Sequence, residues 1–165
     1  MKRIFLLLAV VTAISSFGQG SQRKSPHDTV STANVSVTYG RPYKNDREIF
    51  GALEKFDKVW RLGADEATTI TFNKDGKMGG QDVKAGTYAM FAIPNEDKWE
   101  IILNGVPKQW GAFSYDKNKD KDVAKIKVPV HKLSTAVEQL TIRFNTANAM
   151  VIEWDKTQVI VPFSF

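Results

Sequence analysis

The chain has 165 residues, a formal net charge of +5 and no cysteine. That length makes one ordinary domain with a real core, and the missing cysteines exclude disulfides, thiolate metal sites and a lipid-attachment cysteine. Lysines are interleaved with acids and not gathered in a stripe, which argues against a nucleic-acid partner.

The first eighteen residues have the pattern of a processing signal. Lys2 and Arg3 precede an apolar run, Ile4 to Ile14, broken by Thr12, and Ser16-Phe17-Gly18 supplies small residues before Gln19. The run is shorter than the ~20 apolar residues a spanning helix needs. The expectation is a cleaved signal peptide over 1–18 and an exported, periplasmic or secreted protein with no membrane span. Its removal takes away Lys2 and Arg3 and no acid, leaving a net charge of about +3. Residues 19–28 are polar and predict a flexible lead-in, followed by one domain over 29–165.

From there, period-two alternation dominates. Val35, Val37 and Tyr39 face one way, and Thr68, Ile70 and Phe72 repeat the pattern. Asp75-Gly76 reads as a tight turn and Gly79-Gly80 as a second break. Thr87 to Ile93 is apolar on both faces and suits a central strand. Further strands are predicted at Lys98–Asn104, Ala124–Val130, Gln139–Asn145, Met150–Asp155 and Gln158–Phe163, the last two joined by a hairpin at Asp155-Lys156-Thr157. Pro162 fits best on an edge strand. One segment has helical spacing: Asn45 or Asp46 as cap, Glu48 in a capping-box position, then Ile49, Phe50, Leu53, Phe56 and Trp60. The predicted fold is all-β, a two-sheet antiparallel sandwich of about eight strands with one short helix across its mouth. An outer-membrane barrel is excluded, because its strands need ~9–11 residues and alternate toward a polar lumen.

The richest block is Tyr39 to Thr69. Arg41, Arg47 and Arg61 stand there with Asp65 and Glu66 among apolar residues. Guanidinium groups in such company must be paired or must face a ligand. Two readings stay open at this point: an ion-pair network that pins the segment to the sheet, or a pocket for a carboxylate, phosphate or sugar. Asp65 and Glu66 as an acid/base pair are poorly arranged, since neighbours on an extended strand point to opposite faces. Trp99 alternates with Ile101 and Leu103 and belongs in the core. Trp110, beside Gly111, either plugs the end of the sandwich, the favoured reading, or offers an exposed platform. Asp116-Lys117-Asn118-Lys119-Asp120-Lys121-Asp122 spaces oxygen ligands as calcium loops do. It lacks the central glycine, has Lys127 in the closing position and carries its own lysines, so a solvated charged hairpin is the better account. His27 and His131 lie far apart in sequence with no HxxxH pattern, so no metal and no other cofactor is expected.

Five linked blocks resemble a known family: Tyr39-Gly40-Arg41-Pro42, Arg47-x-Ile49-Phe50-Gly51, Val59-Trp60-Arg61-x-Gly63-Ala64, Ala85-Gly86-Thr87-Tyr88 with Ile93-Pro94, and Trp110-Gly111. In order and extent, from about Ser25 to Phe163, they are similar to the exported bacterial family called domain of unknown function 2911. The chain has Asp65-Glu66 where that family typically has Asn-Glu, and Lys125 where it usually has Arg. The resemblance implies an all-β exported domain and no established activity.

The functional expectation is a non-catalytic domain that binds a small anionic or sugar ligand in one cleft lined by Arg41, Arg47, Trp60, Arg61, Glu66, Tyr88 and Trp110. A structural or protein-interaction module of the cell envelope is the alternative, and a hydrolase acting through Glu66 the third class.

Overall fold

The computed structural model describes residues 25–165; the expected signal peptide and most of the expected lead-in fall in residues 1–24, outside the described residues. The domain is all-β. Nine antiparallel strands run in chain order as β1 His27–Ser31, β2 Val35–Gly40, β3 Thr68–Phe72, β4 Gly76–Met78, β5 Gln81–Val83, β6 Gly86–Ile93, β7 Lys98–Asn104, β8 Asp122–Phe144 and β9 Ala149–Ser164. They hydrogen-bond in the single order β1-β2-β3-β6-β7-β8-β9-β4-β5. Separate sheets are not distinguished, because β8 belongs to both halves. Its first part pairs with β7 (Trp99↔Val128) and its second with β9 (Ile142↔Ile152).

The continuity of β8 and β9 corrects the expected hairpin at Asp155-Lys156-Thr157. Thr157 pairs with Lys132, Asp155 with Val137 and Glu153 with Thr141, across two successive register shifts where the strands bend. Asp155 takes a positive φ of 50° there. Bulges of this kind turn a sheet without ending a strand. The bend carries Ile142 over β2, where the Tyr39 hydroxyl donates to its carbonyl at 3.3 Å and accepts from its N–H at 2.8 Å. β9 is internal in the order, yet Pro162 lies past Val159, where its pairing with β8 ends, so the ring displaces no ladder bond to that neighbour.

Alternation places the core as expected. Val35, Val37, Tyr39, Ile70 and Phe72 are buried with Trp99, Ile101, Leu103, Ile152 and Trp154. The double-sided strand β6 sends Met90 and Ala92 into this core and Ala89 and Phe91 into a second cluster with Ile102, Ala67 and Tyr115. The segment after β7 covers that outer face.

The expected helix is absent. Among the described residues the only helical turns are 3-10, at Tyr115–Lys117 and Lys119–Lys121, in and beside the charged stretch read as a hairpin. Residues 45–60 form successive turns, with positive φ at Asn45 (47°), Asp46 (56°), Gly51 (92°) and Asp57 (58°). Each is incompatible with a right-handed helix. What the helical spacing reflected is burial by another route. Ile49 is fully buried, and Phe50 meets Trp99 with ring centroids 4.8 Å apart.

Candidate functional site

The site is built on a close backbone crossing. Gly40 ends β2 against the segment Gly63-Ala64, where a Cβ on Gly40 would stand 2.3 Å from the Ala64 carbonyl oxygen. One on Gly63 would stand 2.9 Å from the Gly40 oxygen. The two glycines therefore explain the Tyr-Gly-Arg-Pro and Leu-Gly-Ala blocks: only chains without side chains can cross so closely. Thr68, fully buried at the start of β3, locks the crossing by donating to the Leu62 carbonyl at 2.8 Å. Leu62 and Asp65 take positive φ values of 55° and 64°. Among the described residues, five of the seven non-glycine residues with positive φ lie between 45 and 65, so backbone strain is concentrated around this segment.

Two cavities flank it. The first, of about 340 Å³, is lined by Arg47, Arg61, Glu54, Asp65, Tyr43 and Trp154, among others. The second, of about 420 Å³, is formed by Glu66, Ala67, Thr69 and the loop Pro107 to Trp110. Both fall in the range of small-molecule sites. A third cavity of about 370 Å³ near the end of β9 carries Asp75, Lys77, Asp82 and Lys84. Its charges are already paired, Lys77 to Asp82 at 2.6 Å and Lys84 to Asp75 at 2.8 Å, so it offers no unsatisfied group.

In the first cavity the charges are not satisfied. Arg61 is partly buried and its Nε is fully buried without a hydrogen-bond partner; no described residue forms an ion pair with its guanidinium. Arg47 donates from Nε to the Lys44 carbonyl at 2.8 Å and from Nη2 to the Tyr43 carbonyl, which fixes its fork at the rim. Between them lies Glu54. Burial lifts its carboxyl from 4.5 to about 7, against the opposing pull of Arg61 and Arg47. At neutral pH the cavity thus holds two guanidinium groups with two carboxyls, Asp65 and a Glu54 whose ionisation burial opposes.

The seven residues expected to share one cleft are distributed. Arg47 and Arg61 line the first cavity, while Glu66 and Trp110 line the second and pair with each other as an isolated antiparallel bridge. Arg41 is structural: it donates to Leu140 O and Thr141 Oγ1 at 3.1 Å and to Asp28 Oδ2 at 3.2 Å. Trp60 is 3 % exposed and packs on Phe50, Trp99 and Trp154, so it is core and not cavity lining. Tyr88 sits on β6 against Phe72, its hydroxyl donating to Lys84 O. Trp110 reverses the favoured expectation of a plug, being 57 % exposed. Its loop is held by Gln109, which donates to Asn104 Oδ1 at 2.9 Å and to Val106 O at 2.8 Å.

Two residues were missed in the sequence. Glu54 falls within the expected helix without being singled out, and the turn from Ile49 to Glu54 brings it into the cavity, with Glu54 N donating to Ile49 O at 2.9 Å. His27 reads as lead-in, yet it begins β1 opposite Gly40 and reaches Asp65 and Glu66.

Comparison with curated proteins gives no match, and comparison with solved structures gives none either. Residues 21–163 match the model of a family described as a protein of unknown function, DUF2911, and the chain belongs to that family.

Proposed function

We propose that this is an exported domain that binds a small anionic ligand, one carrying a carboxylate or phosphate, in the Arg47–Arg61 cavity without catalysing its conversion. The single observation that carries the reading is Arg61: a partly buried guanidinium whose Nε is buried and has no acceptor. A buried donor left unmade costs about 1–3 kcal/mol, more when charged, and a planar oxyanion would satisfy it in the geometry guanidinium prefers. The signal-like start supports export to the periplasm or beyond. The bend of β8 over β2 supports describing the fold as a sandwich-like closure of one strand order, with the cavity at its open end.

A second reading has its own observation. Trp110 stands exposed over the second cavity beside Pro107 and Lys108, as a platform for a sugar ring does. The envelope-module alternative draws on Arg41, whose fork is committed to protein acceptors.

A thermal-shift series with citrate, phosphate and a neutral disaccharide tests the assignment. A ligand held only by the folded state raises the melting temperature with the logarithm of its concentration over its dissociation constant. The anions raise it and Arg61→Ala abolishes the rise. A disaccharide response lost in Trp110→Ala would move the function to the second cavity, and no response to any of the three would favour the structural module.

A further inference from the structure

We propose that His27, Asp65 and Glu66 form a binding site for one divalent first-row transition-metal ion. The crossing at Gly40 assembles it. His27 is the strand partner of Gly40, and Gly40 packs against Ala64, immediately before Asp65. One nitrogen and two carboxylate oxygens then lie within 4.8 Å of one another.

The distances carry the argument. His27 Nε2 is 3.6 Å from Asp65 Oδ2 and 3.5 Å from Glu66 Oε2. A protonated imidazole bonded to carboxylates closes to about 2.7–2.9 Å. Two ligands on one metal do not touch. With bonds of about 2.0–2.2 Å at tetrahedral angles, donor atoms stand roughly 3.3–3.6 Å apart. The two His27 separations fit ligands around an ion as well as they fit a loose ion pair, and the two carboxylate oxygens lie within 4.8 Å of each other. The Asp65 side chain is 29 % exposed, but its Oδ2 atom is buried and accepts no hydrogen bond, His27 Nε2 being its ion-pair contact. A cation at the centre of the three atoms would satisfy it.

The donor set also selects the ion. One imidazole with two carboxylates suits zinc, iron, manganese or cobalt, whereas calcium and magnesium take six or more oxygens. The two carboxylates balance a divalent charge. Three protein ligands leave positions open, and Asp65 and Glu66 line the two cavities on either side.

The proposal is independent of the anion reading. Its test is titration of the purified protein with Zn²⁺ by calorimetry, and with Co²⁺ by visible absorption, in buffer free of chelating anions. The expected result is one ion per chain. His27→Gln and Asp65→Asn each weaken binding by about 100-fold or more, while His131→Ala binds as the parent does. Melting curves of each variant without metal report whether it folds. Absence of saturable binding overturns the proposal, as does undiminished binding in a folded His27→Gln or Asp65→Asn variant. A His27→Gln protein that melts lower, beside a parent that takes up no metal, identifies a plain ion pair and overturns it equally.

Discussion

Two arginines twenty positions apart meet opposite fates. At the junction of β2 with the bent half of β8, Arg41 spends every arm of its guanidinium on Leu140 O, Thr141 Oγ1 and Asp28. Beyond the Gly40–Ala64 crossing, Arg61 faces a cavity with a buried Nε that no acceptor reaches. The same residue type therefore serves as a clamp in one region and stands ready in the other. Guanidinium groups in apolar company are not evidence of a site in themselves; the hydrogen bonds left unmade are.

The crossing separates the two regions, so breaking it has the largest effect. Gly40→Ala places a methyl group 2.3 Å from a backbone oxygen that cannot rotate away. Chemical denaturation should show a loss of about 3 kcal/mol or more, or no folded protein. A fully stable Gly40→Ala protein would mean that the two chains are not held so close.

The arginines come next. Arg41→Ala removes three hydrogen bonds, one of them to a carboxylate, and is expected to cost about 2–3 kcal/mol. Arg61→Ala removes a buried donor with no protein acceptor and should leave stability unchanged or raise it, by up to about 1–3 kcal/mol. Equal losses in the two variants would erase the distinction between clamp and site.

Glu54 gives the most diagnostic effect. Its carboxyl titrates near 7 in the folded protein and near 4.5 when unfolded. Between those values the native state holds the extra proton, so stability falls as pH rises from about 5 to 8, on the order of 1–3 kcal/mol. Glu54→Gln should flatten that slope. The sign extends to binding: an anion beside Glu54 favours its neutral form, so affinity should weaken as pH passes through 7, and less so in Glu54→Gln. Calorimetry at pH 6 and pH 8 checks both.

Much of the scaffold was legible because burial in a sheet imposes period two. Val35-Val37-Tyr39 and Thr68-Ile70-Phe72 declare their inner faces, and Ala89 to Ala92 declares both. What failed shares one cause: local pattern overruled by distant pairing. Asp155-Lys156-Thr157 has the composition of a turn, but Lys132 and Val137 hold it in a bent strand. Ile49, Phe50, Leu53 and Phe56 have helical spacing, but Asn45, Asp46, Gly51 and Asp57 adopt left-handed backbone that only the surrounding fold sustains. The site was half legible for the same reason. Arg47 and Arg61 announce themselves by charge among apolar neighbours. His27 does not, because its nearness to Asp65 and Glu66 exists only once β1 is paired with β2.

The most direct measurement is a nitrogen–proton correlation spectrum of the arginine Nε–H groups during titration with citrate, with Arg61 assigned by its loss in Arg61→Lys. The Arg61 resonance is predicted to shift saturably while that of Arg41 stays in place. An Arg61 resonance unmoved at saturating citrate, or one that moves no more than Arg41, would contradict the claim that its guanidinium is held open for an anion.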